Sequence, residues 1–403
     1  MMNNMVTKDR LWTTNFVFIC IANFMMSFSF YILIPTLPFY LIDVFGAGKT
    51  AVGIILSIYT VSVLLIRPFS GFLADTFARK PLFLMAYFAF ASIFIGYLLA
   101  SALFVFTIVR IFHGLAFGML STTGNTLVID IMPSSRRGEG LGYFGVTGNL
   151  AMAIGPMVGL ILKDTFSFDS IFYTAILTGM IGFVFAVFVK SPQKIIQKKQ
   201  PVSLDRFFLV KGIPAGITLL FLAIPYAMTN SYIALYVYDL GMTSHSGFFF
   251  SIMAVGMILS RVTSGKKVDK GFITQNITLG IVIACIGIMG EIFLGYVFKN
   301  SFLSGLILYY AIAFFIGYGF GTTFPALNTL FINLAPNNRR ATANSTYLTS
   351  WDVGIGIGVL LGGRFAELKG FTFTYAMGAL FAFLSLLIFT TLAIPHFIKN
   401  RVR

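Results

Sequence analysis

Residues 71–80 read GFLADTFARK, a short charged segment that stands between two long apolar stretches. Asp75, Arg79 and Lys80 place three charges within six positions, in a chain of which 58% of the residues are hydrophobic and only 10% are charged. A charge is costly in an apolar environment, so charges this sparse are expected where the fold needs them. The segment predicts a polar turn between two membrane-spanning helices.

The composition of the whole chain also indicates a multi-pass membrane protein. Among its 403 residues are 47 phenylalanines, and its mean hydropathy is +0.90, which is more apolar surface than a water-soluble fold can bury. A spanning helix needs about 20 apolar residues. The sequence therefore predicts an all-α membrane protein with twelve spans, at residues 12–41, 50–74, 81–100, 102–129, 139–163, 168–190, 208–239, 244–265, 273–298, 303–333, 340–364 and 371–396.

The Lys and Arg residues predict the orientation of these spans. The net charge is +15, but the basic residues lie in short connectors and not on one helical face, which argues against nucleic-acid binding. Of the 28 Lys and Arg residues, 21 fall in the termini and in connectors on the same side, five fall on the other side, and Arg67 and Arg110 lie within spans. Because positive charge is retained on the cytoplasmic side, we expect both termini in the cytoplasm and the protein in the inner (cytoplasmic) membrane of the cell.

Cysteine and histidine give no sign of a metal or redox centre. Cys20 and Cys285 both fall inside predicted spans, where they are interpreted as small buried hydrophobes. The three histidines are scattered along the chain, and no cofactor is predicted. The first apolar segment is too long for the core of a cleaved signal peptide, so it is expected to remain as the first span.

The two halves of the chain resemble each other. Ser135-Arg136-Arg137 opens the fifth span and Asn338-Arg339-Arg340 opens the eleventh, an offset of 203 residues. The same offset aligns Asn149 with Asp352, Gly155 with Gly358 and Gly159 with Gly362. A weaker copy of the charged turn occurs at residues 261–271. The pattern predicts two pseudo-symmetric six-helix bundles, 1–190 and 207–403, joined by a polar linker at 191–206.

The segment at 71–80 resembles the loop G-x-L-A-D-x-x-G-R-K between helices two and three of the major facilitator superfamily, with Ala78 in place of the second glycine. The resemblance implies a cytoplasmic gate in which Asp75 contacts the start of helix eleven and Arg79 pairs with Asp130 at the end of helix four. Gly71 is expected to let another helix approach closely. The alternative is a solvated turn whose charges follow the positive-inside pattern alone.

The fourth span carries a second resemblance to this superfamily. Arg110-Ile111-Phe112-His113-Gly114 is similar to its R-x-x-Q-G element, with His113 in the place of glutamine. An arginine within a span is costly unless it faces a cavity or a partner, so Arg110 is interpreted either as a cavity residue or as a structural residue bonded to backbone carbonyls. His113 lies off the polar face and is expected to pack.

The predicted cavity-lining residues are Asn23, Ser27, Tyr31, Gly114, Ser121, Asn125, Tyr226, Asn230, Tyr318, Asn328, Ser345 and Thr349.

The fifth span resembles the glycine-proline element of exporters in the drug/proton antiporter branch of the superfamily. Gly155, Pro156 and Gly159 carry the resemblance. Proline removes one helical hydrogen bond and permits a bend, while glycines allow close helix packing. The element therefore favours export over uptake, although packing alone also accounts for glycines in membrane helices.

Asp352 is the deepest carboxylate that the sequence predicts. It lies twelve residues into the eleventh span, about 18 Å from its start. A lone acid at this depth favours its neutral form, which makes Asp352 a candidate proton carrier or a counter-charge for a cationic substrate, with a structural hydrogen bond as the alternative. Glu291 is expected near the outer rim, and Arg67 is expected to snorkel or to support the cytoplasmic gate.

These observations predict a secondary transporter that exports a small amphipathic molecule by proton antiport, as a monomer in contact with membrane lipid. Asp352 and Arg110 are the expected charges of its cavity. Proton-coupled import of a sugar or organic acid remains an alternative. A membrane-embedded enzyme is disfavoured because the sequence contains no H-E-x-x-H, no G-x-S-x-G and no paired aspartates within the spans. A channel is disfavoured because two dissimilar halves suit a carrier better than a symmetric pore.

Overall fold

The computed structural model describes residues 10–133, 136–191, 208–242, 246–269, 271–336 and 340–402, with side chains described except at 75, 137–138, 262, 265–269 and 340–341. The regular structure in these ranges is helical. The helices are α1 (Thr14–Tyr31), α2 (Leu37–Phe45), α3 (Lys49–Thr76), α4 (Arg79–Leu99), α5 (Leu103–Ile131), α6 (Arg137–Thr165), α7 (Phe168–Phe188), α8 (Ile213–Asp239), α9 (Phe248–Asp269), α10 (Ile273–Asn300), α11 (Phe302–Leu334), α12 (Arg340–Ile388) and α13 (Ile394–Asn400).

Twelve membrane crossings follow from these helices. Ten of the described segments are long and apolar enough to cross a membrane, and the apolar part of α9, Phe248–Arg261, is a shorter one. The last long segment contains two crossings, because α12 reverses at Gly370, whose φ of 79° is favourable only for glycine. The final crossing ends in a π-helical turn, Phe389–Ala393, and α13. The all-α fold with twelve spans is thus confirmed.

The predicted first span, 12–41, is interrupted. Thr13 caps α1 by accepting a hydrogen bond from the Phe16 backbone N–H at 3.2 Å, and the helix ends at Tyr31. Pro35 lies in the following turn, and Pro38 occupies the first turn of α2. Proline has no N–H to donate within a helix and is tolerated in its first turn, so the chain breaks before Leu37 and restarts there.

Hydrogen bonds join the helix ends at the side where the chain begins and ends, called here the termini side. The Asn15 side chain bonds both ways with the Lys190 backbone, at 3.0 and 3.2 Å, which ties the start of α1 to the end of α7. The Val402 backbone N–H donates to the Asn333 carbonyl at 2.9 Å, which ties the C-terminal end to α11. The start of α3 at Lys49, one crossing later, lies on the opposite side.

The helices pack as two related groups. In the first, α1 contacts α6 and α7, and α5 contacts α3 and α4; in the second, α8 contacts α12, and α11 contacts α9 and α10. Contacts of α3 with α12 and of α6 with α9 join the two groups. The predicted linker 191–206 lies outside the described residues except for Ser191.

The glycines aligned by the repeat make equivalent contacts in the two groups. A Cβ on Gly155 or Gly159 of α6 would collide with residues 31–32 at the end of α1. A Cβ on Gly358 of α12 would overlap the Ile224 carbonyl of α8, and one on Gly362 would come 2.8 Å from the Tyr232 ring of the same helix. The absence of a side chain lets two helix backbones approach. Glycine therefore allows close packing of α6 on α1 in one half and of α12 on α8 in the other.

Candidate functional site

An ion pair joins the two groups of helices in the interior of the bundle. Arg67 of α3 approaches Asp352 of α12 with a guanidinium nitrogen 2.5 Å from a carboxylate oxygen, and their side chains are only 18% and 16% exposed. The approach lies off the hydrogen-bonding direction, and neither Asp352 Oδ2 nor Arg67 Nε has a hydrogen-bond partner in the described part of the chain. The pair therefore depends on charge attraction without support from neighbouring donors.

Small residues bring α3 and α12 together from this pair to the opposite side. Gly356 faces Thr60, with a Cβ position 3.4 Å from the threonine methyl group. Further along, Gly53 faces the carbonyls of residues 359–360 at 3.0 Å, and Gly363 contacts the Lys49 carbonyl. Close backbone approach through small residues is the usual way in which membrane helices associate. The interface between α3 and α12 thus tightens toward the opposite side.

Charged side chains join the helices at the opposite side. Lys49 pairs with Asp239 of α8 at 2.9 Å. The carboxylate of Glu367 accepts a hydrogen bond at 2.5 Å from the Thr50 backbone N–H, in the first turn of α3. The first turn of a helix has free N–H groups and a partial positive charge, so Glu367 caps a helix of the other group.

Two methionine sulfur atoms of α6 accept hydrogen bonds from α8 and α9. Tyr226 of α8 donates its hydroxyl to Met152 Sδ of α6 at 2.9 Å, and Ser251 of α9 donates to Met157 Sδ at 2.7 Å. Gly247 approaches the Met157 carbonyl, with a Cβ position 3.1 Å away. These bonds also cross between the two groups, because α6 belongs to the first and α8 and α9 to the second.

At the termini side, Arg79 and Asp130 form the ion pair that the sequence resemblance implies. Their closest N–O distance is 2.5 Å, and Arg79 also donates to the carbonyls of Ala74 and Thr126 at 3.2 and 3.4 Å. The Asp75 side chain lies outside the described residues. The role expected of Gly71 stays a prediction: a Cβ built there meets no atom of the described residues within 4 Å.

Arg110 of α5 is withdrawn from the cavity by aromatic neighbours. It is 5% exposed, its guanidinium lies 4.3 Å from the Tyr59 ring centroid, and it donates to the Tyr97 hydroxyl at 3.3 Å. The partners are thus aromatic side chains, whereas the sequence suggested a cavity or backbone carbonyls. Gly114 also differs from its expected cavity position, since it packs against the Tyr59 carbonyl of α3. His113 packs as expected, fully buried and bonded to Tyr97 at 2.8 Å.

The predicted polar residues of the first group come together around a small pocket of about 40 Å³. Asn23, Ser121 and Asn125 line it. Ser27 and Tyr31 lie beside the same face of α6: a Cβ on Gly148 would come 3.7 Å from the Ser27 hydroxyl, and Tyr31 lies against Gly155.

The predicted residues of the second group are more dispersed. Tyr226 packs against Phe320, Phe324 and Trp351, and Asn230 donates to the Tyr226 carbonyl at 2.8 Å. Tyr318 instead bonds with Thr263 at 2.7 Å on the α9 side of α11, which places it outside a central cavity. The remaining three are half-buried: Ser345 and Thr349 on α12, and Asn328 on α11.

Residues 19–359 match the sequence profile of the Major Facilitator Superfamily. The chain belongs to this superfamily. It is 25% identical over 349 residues to the multi-drug resistance efflux pump PmrA of Streptococcus pneumoniae serotype 4, with coverage of 81% of this chain and 82% of the pump. It is 24% identical over 384 residues to the multidrug resistance protein MdtG of Serratia proteamaculans, with coverage of 92% and 91%. The structure superposes on a crystal structure of a peptide transporter in complex with sulfate, with a TM-score of 0.79, 16% identity, and coverage of 96% and 95%.

Two charged side chains lie in other surroundings than the sequence predicts. Glu291 was expected at the rim, yet it is fully buried in α10, where Oε1 accepts from the Thr229 hydroxyl at 2.8 Å. Arg67 is expected to snorkel or to support the cytoplasmic gate, and in the structure it pairs with Asp352 of the other helix group. The sequence contains a signal for this ion pair. The two residues carry opposite charges and lie in spans two and eleven, at similar distances from the same side of the membrane.

Glu367 was missed altogether. The offset of 203 residues aligns it with Asp164, so that an acid ends both α6 and the first limb of α12. That signal marks the position, but the Thr50 partner belongs to the other half of the chain and is visible only in the structure.

Proposed function

We propose that this major facilitator superfamily member exports a small amphipathic molecule by exchange for protons, through alternating access. The observation that carries the proposal is the Arg67–Asp352 ion pair, which joins α3 to α12 between the two groups of helices. Export is supported by the multidrug efflux relatives and by Gly155 and Pro156 in α6. No prosthetic group is invoked, and the monomer is the proposed functional unit.

In this proposal, Asp352 either forms an ion pair with Arg67 or binds a proton. When Asp352 is ionised, its attraction to Arg67 holds α3 against α12. When a proton neutralises the carboxylate, that attraction is lost, and the interface loses its only charge contact at this depth among the described residues. A proton therefore changes the relative free energies of two arrangements of the halves, which is the requirement for coupling.

The closed side gives the direction of the cycle. The described contacts between the groups extend from Arg67–Asp352 to Glu367–Thr50 at the opposite side, whereas a Cβ built on Gly71 at the termini side meets no atom of the described residues within 4 Å. With the termini in the cytoplasm, as the basic residues predict, this arrangement opens inward with Asp352 unprotonated. Substrate would load from the cytoplasm in this state, and a proton would bind Asp352 after the halves have reoriented.

The test uses inside-out membrane vesicles with an acidic interior and an uncharged fluorescent amphipathic dye. The wild-type protein should accumulate dye, and adding dye should raise the internal pH. Asp352→Asn should abolish both responses while retaining dye counterflow without a gradient. Internal acidification on dye addition would indicate symport, and gradient-driven accumulation by Asp352→Asn would exclude this carboxylate as the proton carrier.

A further inference from the structure

The pocket of the first helix group is enclosed by α1, α4, α5 and α6, and therefore lies within one half of the transporter. Most of its wall is apolar or aromatic, including Phe83 and Phe144. Tyr87 also contributes its ring, but its hydroxyl is already used, since it donates to the Ala22 carbonyl at 2.7 Å. An apolar pocket with a few polar groups is the usual form of a small-molecule site.

The three polar side chains of this pocket differ in the hydrogen bonds that they have left. Asn23 uses its amide N–H groups on Thr147 Oγ1 at 2.8 Å and on the Phe144 carbonyl at 3.2 Å. Ser121 donates to the Gly118 carbonyl at 3.2 Å. Asn125 forms no hydrogen bond with any residue that the structure describes. Its amide therefore offers two donors and an acceptor to a ligand.

The pocket offers no charge to a ligand among its described lining residues. The nearest charges along α4 and α5 are Arg79 and Asp130, which pair with each other. Arg110 is covered by Tyr59, and Asp352 is paired with Arg67. A cation placed here would lose water without gaining a counter-charge, which is strongly unfavourable.

We infer that this pocket binds the uncharged polar head of an amphipathic molecule, a carboxamide, hydroxyl or carbonyl group, with Asn125 as the residue that recognises it. The inference deepens the proposed function, because it assigns the substrate class of the exporter as neutral. The aromatic wall holds the apolar part of the molecule. The asparagine amide supplies the hydrogen bonds that orient the head.

The test compares two fluorescent coumarin dyes that differ only at the end of one alkyl chain, a carboxamide in one and a trimethylammonium group in the other. Binding to the full-length protein in lipid nanodiscs is measured without a proton gradient. The wild-type protein should bind the carboxamide dye at least about tenfold more tightly. Asn125→Leu should weaken that binding about fivefold to tenfold.

Asn125→Asp separates a ligand contact from a packing role. It keeps the side-chain size and adds a negative charge, so the trimethylammonium dye should gain at least about tenfold in affinity relative to the carboxamide dye. Matched controls are Asn300→Leu and Asn300→Asp at the exposed end of α10, which should change neither affinity. All variants are first compared by thermal unfolding and size-exclusion chromatography.

Three results would overturn the inference: tighter wild-type binding of the cationic dye, absence of binding of the carboxamide dye, or an unchanged preference in Asn125→Asp. Failure of the proposed function is a separate result, because export is measured with the gradient in sealed vesicles. Binding of the neutral dye without proton-coupled movement would refute export and leave the pocket assignment intact. Proton-coupled export with an unchanged dye preference in both Asn125 variants would support export and refute the pocket assignment.

Discussion

The Arg67–Asp352 pair gives a quantitative prediction about how the two halves are held together. The perturbations are Arg67→Gln, Asp352→Asn and the double variant. Removing one partner of a buried ion pair leaves the other charge uncompensated and costs about 3–5 kcal/mol. Because the two side chains retain 18% and 16% of their exposure, we expect the lower end of this range, about 3 kcal/mol for each single variant.

The double variant should be far less destabilised than the sum of the singles. Two neutral amides leave no isolated charge, so the double variant should cost no more than either single variant, which corresponds to a coupling free energy of about 3 kcal/mol. The assay is unfolding of the purified protein in mixed dodecylmaltoside and SDS micelles, followed by far-ultraviolet circular dichroism. The control cycle is Lys49→Gln with Asp239→Asn, a pair exposed by 28% and 42%, for which the coupling should stay below about 1 kcal/mol.

Additive effects of the two substitutions would refute the reasoning. A coupling below about 0.5 kcal/mol is what independent sites show, and it would mean that the contact does not hold α3 against α12. Transport measurements on the same proteins add a second criterion. The double variant should retain counterflow but lose gradient-driven accumulation, because no uncompensated charge remains while the titratable group is absent.

Three further predictions concern packing and the two ends of the bundle. Gly159→Leu forces a side chain into Ile32 at the end of α1 and should destabilise by about 3 kcal/mol or more. Gly71→Leu, whose Cβ meets no atom of the described residues within 4 Å, should unfold like the wild type; equal unfolding midpoints for the two variants would contradict the packing. Glu367→Gln removes the charge that caps α3 and should increase labelling of a cysteine placed at residue 50 by a membrane-impermeant maleimide, while an unchanged labelling rate would argue against a closing role. Arg79→Gln should destabilise by about 1 kcal/mol, and Asp130→Asn should add little to it; fully additive losses would show that the pair does not act as a unit.

The sequence by itself determined the number of membrane crossings and their helical structure. In lipid, each backbone polar group needs an internal partner, so a run of apolar residues long enough to cross becomes a helix. Local signals also located the repeat, the glycines at 155 and 159 that pack on α1, and the Arg79–Asp130 pair through its family resemblance. Even the break in the first span has a local cause, in Pro35 and Pro38.

The tertiary structure decided which polar groups meet. One residue along a helix turns the side-chain direction by about 100°, so hydropathy cannot say whether Arg110 faces a cavity or the Tyr59 ring. The burial of Glu291 beside Thr229 likewise depends on how neighbouring helices are rotated and tilted. Arg67 and Asp352 are adjacent only because α3 and α12 pack across the two halves. Apolar length is a property of each segment, whereas charge pairing is a property of their arrangement.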